Sequence, residues 1–158
     1  MLSSLLTVRR AVHLTILATT LSALAACGDD DPVEPDDEPE VQTMTLAAGT
    51  TTLTFDKTTG GPTGTGILTI PAGTTTITAT FRKADGSIET LVTGDEFDVR
   101  IRPATGTPFT WTPNTSLGGT LVTSGVTTGQ TIASSVDLFH RAEQHADFGP
   151  YNFQIRIQ

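Results

Sequence analysis

The feature that most constrains the fold is a strict alternation of apolar and polar residues. Between Thr74 and Arg82, the side chains of Ile77, Ala79 and Phe81 alternate with threonine or arginine. Successive residues of a β-strand point to opposite faces of a sheet, so this period predicts a half-buried strand with one apolar face. The same alternation recurs over 97–102 and 151–158, and helical periodicity is nearly absent after Glu40. The sequence therefore predicts an all-β domain.

Shorter apolar segments separated by turn signals indicate how the strands are arranged. Further strands are predicted at 53–55, 67–70, 87–92, 109–111, 119–123 and 132–140. Turns are predicted at 60–62, 85–86, 112–114 and 149–150, where glycine, proline, asparagine or aspartate cluster. Turn signals every 8 to 12 residues or so are typical of two sheets packed face to face. We therefore expect a β-sandwich of about seven to nine short strands.

Three segments share a glycine turn that runs into a threonine-rich strand, namely Ala48–Thr54, Ala72–Thr78 and Gly125–Ile132. Their spacing is not constant, which argues against a solenoid repeat. The pattern resembles the approach to late strands in bacterial Ig-like domains. This resemblance implies an Ig-like β-sandwich over 41–158, and a fold by itself does not define a function.

The N-terminal segment has the layout of a secretory signal. Arg9 and Arg10 precede a mostly apolar run from Ala11 to Ala26, which is shorter than the roughly 20 residues that span a bilayer. The paired arginines also fit a twin-arginine export signal, and this alternative stays open. The run ends in Leu24–Cys27, which resembles the lipobox of bacterial lipoproteins. The resemblance implies that 1–26 is a cleaved signal peptide and that Cys27 carries the lipid anchor.

Residues 27–40 combine acidic residues and prolines with a single apolar residue besides the cysteine, Val33. Such a segment cannot bury enough apolar surface to offset the entropy cost of ordering, so we expect a disordered tether. Like charges and prolines favour an extended chain, with a reach of up to roughly 3 Å per residue. The run also resembles acidic export signals of some surface-exposed lipoproteins. We therefore expect a location in the bacterial cell envelope, facing the periplasm or the cell surface.

The charge distribution excludes one class of partner. Of the seventeen acidic residues behind the net charge of −8, eight lie in the tether. The part from Val41 onward is nearly neutral, and neither segment has the basic patch that nucleic acid requires. We expect no nucleic-acid partner.

No catalytic motif is evident. The glycine-rich segment Gly60–Gly66 lacks the Lys-Ser/Thr pair and the following helix of a phosphate-binding loop. The sequence contains no Gly-x-Ser-x-Gly elbow for a serine nucleophile. Glycoside hydrolysis requires a pair of carboxylates, and four candidates occur at Glu89, Asp95, Glu96 and Asp98. Alternation places Asp98 on a solvent face beside Arg100, which indicates that these residues are surface charges. The sequence predicts a protein that is not an enzyme and has no cofactor.

One cluster has residue types suited to a metal ion. His140 ends a predicted strand, while His145 and Asp147 are placed in the connection to the last strand. Two imidazoles and a carboxylate are a ligand set for zinc or copper. Cys27 is the only cysteine and is consumed by lipidation, which excludes a blue-copper site.

A second interpretation of this segment is a loop ordered by packing. In it, His140 caps the core, Phe148 and Tyr151 turn inward, and Arg141 pairs with Glu143 or Asp147. Loops at the end of a sandwich also carry recognition in Ig-like modules.

Two functions remain open. The first is a noncatalytic, membrane-anchored envelope lipoprotein that acts as a binding or structural module, with an envelope protein or glycan as its partner. The second is a periplasmic lipoprotein that binds zinc or copper through His140, His145 and Asp147.

Overall fold

A computed structural model describes residues 38–106 and 108–158. The predicted signal peptide, Cys27 and most of the predicted tether lie outside the described residues. Residues Glu38–Gln158 form one compact unit. Its ten strands are β1 (Thr43–Ala48), β2 (Thr51–Asp56), β3 (Gly61–Pro62), β4 (Ile67–Ile70), β5 (Thr74–Arg82), β6 (Phe97–Pro103), β7 (Phe109–Asn114), β8 (Gly118–Thr123), β9 (Thr131–His140) and β10 (His145–Ile157).

The strands form two sheets of a β-sandwich, which confirms the predicted fold class. The six-stranded sheet has the order β3-β2-β1-β5-β8-β7, and the four-stranded sheet has the order β4-β10-β9-β6. Strands β4 and β10 pair in parallel, and the other neighbours pair antiparallel. The count of ten exceeds the expected seven to nine because β1 and the two-residue β3 were not anticipated.

The core lies between the sheets and takes the apolar face of each strand. The alternation in β5 buries Ile77 and Phe81 and leaves the intervening threonines exposed, as predicted. Each large apolar side chain that is fully buried contributes about 1.5–3 kcal/mol. The fully buried large side chains come from both sheets: Phe55, Phe97, Phe148, Met44, Leu46, Leu68, Ile70, Ile77, Leu121, Leu138, Ile155 and Ile157.

The outward faces of the two sheets differ in charge. Within the strands of the six-stranded sheet, ionisable side chains occur only at Asp56 and Arg82, and threonines such as Thr45, paired with Thr54 and Thr80, cover most of the rest. The four-stranded sheet instead carries ion pairs, among them the one that joins Arg102 to the buried Asp137, with Nη1 and Oδ1 2.9 Å apart. The charges of the strands are therefore concentrated on the four-stranded sheet.

The predicted strand over Ser87–Val92 is wrong. This segment makes one isolated bridge, between Arg82 and Ile88, and is otherwise a loop. The side chain of Glu89 turns inward and accepts hydrogen bonds from backbone amides, which is incompatible with regular alternation across a sheet.

Two predicted turns lie inside strands. Residues 112–114 belong to β7, and the chain turns just after them. Gly149 and Pro150 lie within β10, at the second of two register shifts against β9, which falls between Phe148 and Tyr151. Such irregularities let a long strand bend without ending, so turn-type residues do not terminate β10.

Candidate functional site at the β9–β10 hairpin

The end of the sandwich at which β9 turns into β10 brings the predicted site residues together. His140 is the last residue of β9 and pairs directly with His145, the first residue of β10. The backbone N–H of Gln144, which has a left-handed φ of 60°, donates to the His140 carbonyl at 2.9 Å. The prediction that His145 and Asp147 lie in the connection is wrong, because β10 begins at His145. A register shift between Ala146 and Phe148 interrupts the regular alternation at Asp147, whose Oδ1 lies 2.7 Å from Nε2 of His145.

Two histidines and two carboxylates form what we call the His–carboxylate cluster: His140, Glu143, His145 and Asp147. Nδ1 of His140 lies 3.7 Å from Oε2 of Glu143 and 3.8 Å from Oδ2 of Asp147. The ring of His145 lies between the same two carboxylates, with Nδ1 3.3 Å from Oε2 of Glu143 and Nε2 2.7 Å from Oδ1 of Asp147. The structure therefore brings together His140, His145 and Asp147 as predicted.

Glu143 is the member that sequence reasoning missed as a ligand candidate. The sequence suggests Glu143 only as a partner for Arg141. Its position three residues after His140, inside the turn, was the available signal. Whether that position faces the histidines depends on the conformation of the turn, which the sequence pattern does not define.

The inner half of the cluster is held by packing. The imidazole of His140 stacks on the buried ring of Phe97, with centroids 4.6 Å apart, so it caps the core as one interpretation predicted. The side chains of His140 and Asp147 are 17% and 14% exposed, whereas those of His145 and Glu143 are 51% and 46% exposed. One histidine and one carboxylate are thus fixed, and the other pair is accessible to solvent.

Arg141 does not neutralise the cluster, and the predicted pairing with Glu143 or Asp147 is wrong. Its guanidinium lies 3.1 Å from the Asp98 carboxylate and also donates to the Gly94 carbonyl. Its backbone amide donates to the carbonyl of Glu96 at 2.9 Å. Arg141 therefore ties the 93–96 loop to the hairpin, and Asp98 is a partly buried partner instead of a free surface charge.

The contacts of Asp147 are incomplete. Its Oδ1 is buried and has no hydrogen bond of acceptable geometry within the described part of the chain, although Nε2 of His145 is close. Among residues 38–106 and 108–158, no group of three or more His, Cys, Asp or Glu side chains is already arranged to hold a metal ion. As placed, the cluster is a set of pairwise His–carboxylate contacts.

Aromatic side chains pack between the β9–β10 hairpin and the core. Phe148 is buried and Tyr151 is partly buried, with their ring centroids 5.0 Å apart, and Tyr151 also stacks against Phe55 of the other sheet. Both side chains turn inward, as expected. Burial raises the pKa of the Tyr151 hydroxyl, and the Asp56 carboxylate adds to this shift.

The prediction that Glu89 is a surface charge is wrong. Its side chain is fully buried and accepts hydrogen bonds from the backbone amides of Glu40, at 2.8 Å, and Leu91, at 2.9 Å. Lys83 Nζ lies 3.6 Å away. Burial alone raises the pKa of Glu89, but the two amides and Lys83 outweigh it and hold the pKa below its ordinary value.

Comparisons with protein-family models, with curated proteins and with solved structures found no match. In the described part of the chain, no helix is long and apolar enough to cross a membrane. The described residues define an all-β sandwich protein that carries a His–carboxylate cluster at one hairpin.

Proposed function

We propose that this protein is a noncatalytic lipoprotein of the bacterial cell envelope, whose sandwich domain acts as a binding or structural module. The lipobox-like Leu24–Cys27 segment supports lipid attachment at Cys27, and the acidic, proline-rich residues after it support a tether. Several acyl chains on one residue give stable membrane attachment, unlike a single chain. The domain is displayed on this tether toward the periplasm or the cell surface.

The observation that carries the binding role is the unequal distribution of polar groups. The six-stranded sheet presents a nearly uncharged, threonine-covered face, whereas the hairpin end collects Arg141, the His–carboxylate cluster and the 93–96 loop. Loops and turns positioned by a rigid scaffold are where recognition residues concentrate. The hairpin end is therefore the proposed contact surface for an envelope protein or glycan.

Site-specific photo-crosslinking in intact cells tests this proposal. A photoreactive residue replaces Ala142, which is exposed in the hairpin turn, or Thr78, which is exposed on the six-stranded sheet as a matched control. We expect the Ala142 position to give a discrete covalent adduct, and the Thr78 position to give none. Adducts at neither position, or equal adducts at both, would contradict a recognition role for the hairpin end.

A further inference from the structure

We propose that the His–carboxylate cluster binds one divalent transition-metal ion of the zinc type, with His140, Glu143, His145 and Asp147 as ligands. This inference goes beyond the envelope role and does not depend on lipid attachment. It adds Glu143 to the three residues that the sequence singles out, and it rests on the geometry of the hairpin.

Three donor-atom distances lie within or just above the range that one shared ion requires. Zinc bonds to imidazole nitrogen and carboxylate oxygen are about 2.0–2.2 Å long, so ligand atoms at tetrahedral angles lie about 3.3–3.6 Å apart. Nδ1 of His145 and Nδ1 of His140 lie 3.3 Å and 3.7 Å from Oε2 of Glu143. Oδ2 of Asp147 lies 3.8 Å from Nδ1 of His140. Glu143 is therefore close to both imidazoles, and Asp147 of β10 supplies the fourth donor atom.

Two structural features favour an ion at this site: one restrains a donor, and the other leaves the carboxylates available. The Phe97 ring stacks on His140 and restricts rotation of its imidazole. Arg141 is engaged by Asp98 and by the carbonyl of Gly94, so its guanidinium does not compete for the carboxylates of Glu143 and Asp147. With neutral imidazoles, the cluster carries two negative charges, and a dication is the ion that balances them.

One contact must open for the ion to bind. The 2.7 Å separation between Nε2 of His145 and Oδ1 of Asp147 is shorter than the edge of a tetrahedral site. A shift of the half-exposed His145 side chain away from Asp147 opens this contact and leaves its Nδ1 on the side of Glu143. Oδ1 of Asp147 is buried and has no hydrogen bond of acceptable geometry in the described part of the chain, so it is available to an ion once this contact opens.

The donor types select the class of metal. Imidazole nitrogens suit zinc, copper and nickel, whereas calcium and magnesium favour sites made entirely of oxygen. Two nitrogens with two carboxylate oxygens therefore point to an ion such as zinc.

The test is titration of the full-length protein, purified in detergent, with zinc chloride by calorimetry and with cobalt chloride by visible absorption. The variants are His145→Ala and Glu143→Gln, both at half-exposed positions, and the matched control is Glu96→Gln, which replaces an exposed acid on the adjacent loop. We expect one zinc ion per chain and an intense four-coordinate cobalt spectrum in the wild-type protein and in the control. Each cluster variant should raise the zinc Kd by at least about 100-fold. This is the upper end of the loss of affinity caused by mutating residues that only hydrogen-bond to a metal ligand.

Two results would overturn the proposal. One is the absence of zinc binding to a wild-type protein that unfolds cooperatively. The other is binding that His145→Ala leaves unchanged, since that would place the ion on other carboxylates, such as those of the acidic tether. Unfolding curves of the variants without metal show that they remain folded, and a zinc-induced rise in Tm should appear in the wild type and disappear in His145→Ala.

Discussion

Glu89 shows how a single side chain determines the local structure around it. A buried carboxylate is costly unless its oxygens are satisfied, and here two backbone amides and Lys83 satisfy them. One of these amides belongs to Glu40, just before the buried Val41. Glu89 therefore fastens the start of the compact unit to the loop after β5.

The lowered pKa of Glu89 predicts a defined pH dependence of stability. The folded state holds the proton less tightly than the unfolded state, so the stabilisation is fully present above the unfolded pKa of about 4.3 and is lost as pH falls through the folded pKa. Glu89→Gln should lower the free energy of unfolding by about 2 kcal/mol near neutral pH, the size expected for hydrogen bonds to a charged group.

Urea unfolding of the wild type, Glu89→Gln and the exposed control Glu96→Gln between pH 7 and pH 3 measures this effect. Glu89→Gln should show a shallower loss of stability in acid than the other two proteins. Parallel pH profiles for all three would show that Glu89 is not the group responsible.

At the level of the elements, β7 joins the two sheets at their edge. The indole Nε1–H of Trp111 donates to the Val99 carbonyl of β6 at 2.8 Å. Strand β6 lies at the edge of the four-stranded sheet, and edge strands need protection from pairing with other chains. Trp111 supplies part of that cover, and close packing against Gly119 of β8 holds its ring.

Gly119 is predicted to be required for this packing. A Cβ atom added there would lie 2.6 Å from Cζ2 of Trp111 and 2.4 Å from the Thr112 carbonyl oxygen. Gly119→Ala should destabilise the fold by about 1–3 kcal/mol, the typical cost of overpacking. Because Trp111 is the only tryptophan, its fluorescence reports both the unfolding transition and the displacement of the ring.

The matched control is Gly61→Ala, where an added Cβ would meet nothing within 4 Å. This control should keep the wild-type emission maximum and unfolding midpoint, whereas Gly119→Ala should shift both. Equal midpoints for the two variants would rule out the close contact between β8 and the Trp111 ring.

Strands with a purely local signature could be predicted, and those governed by distant contacts could not. The alternation in β5 and the apolar run of β4 gave the correct residue ranges because burial of one face determines both strands. In β1, Met44 and Leu46 alternate with threonine and alanine, but the adjoining tether obscured this signal. The Ser87–Val92 segment carries a strand-like pattern that the inward turn of Glu89 overrides.

The candidate site also contains some residues that the sequence identifies locally and others whose roles depend on distant contacts. Residue type and spacing were enough to select His140, His145 and Asp147. The role of Glu143 depends on the turn conformation, and the partner of Arg141 depends on pairing between β6 and β9, which brings Asp98 near. Neither can be derived from positions along the chain alone.

For the whole molecule, we propose that the N-terminal segment provides membrane attachment and that the hairpin end provides recognition. The compact unit begins at Glu38, directly after the most acidic part of the sequence, and the hairpin end carries the cluster of ionisable groups. The part from Val41 onward is nearly neutral, whereas the segment before it is acidic. We propose that a lipid on Cys27 holds this domain at the membrane.

The most direct test of that claim is metabolic labelling with a tagged fatty acid, followed by membrane fractionation and intact-mass measurement of the full-length protein. The variants are Cys27→Ala and, as a control within the leader, Ser4→Ala. We expect the wild type and Ser4→Ala to be labelled, to sediment with membranes and to begin at an acylated Cys27. Cys27→Ala should be unlabelled and should fail to mature at that position. An unlabelled wild-type protein, or a Cys27→Ala variant that is labelled and membrane-bound like the wild type, would contradict lipid attachment at Cys27.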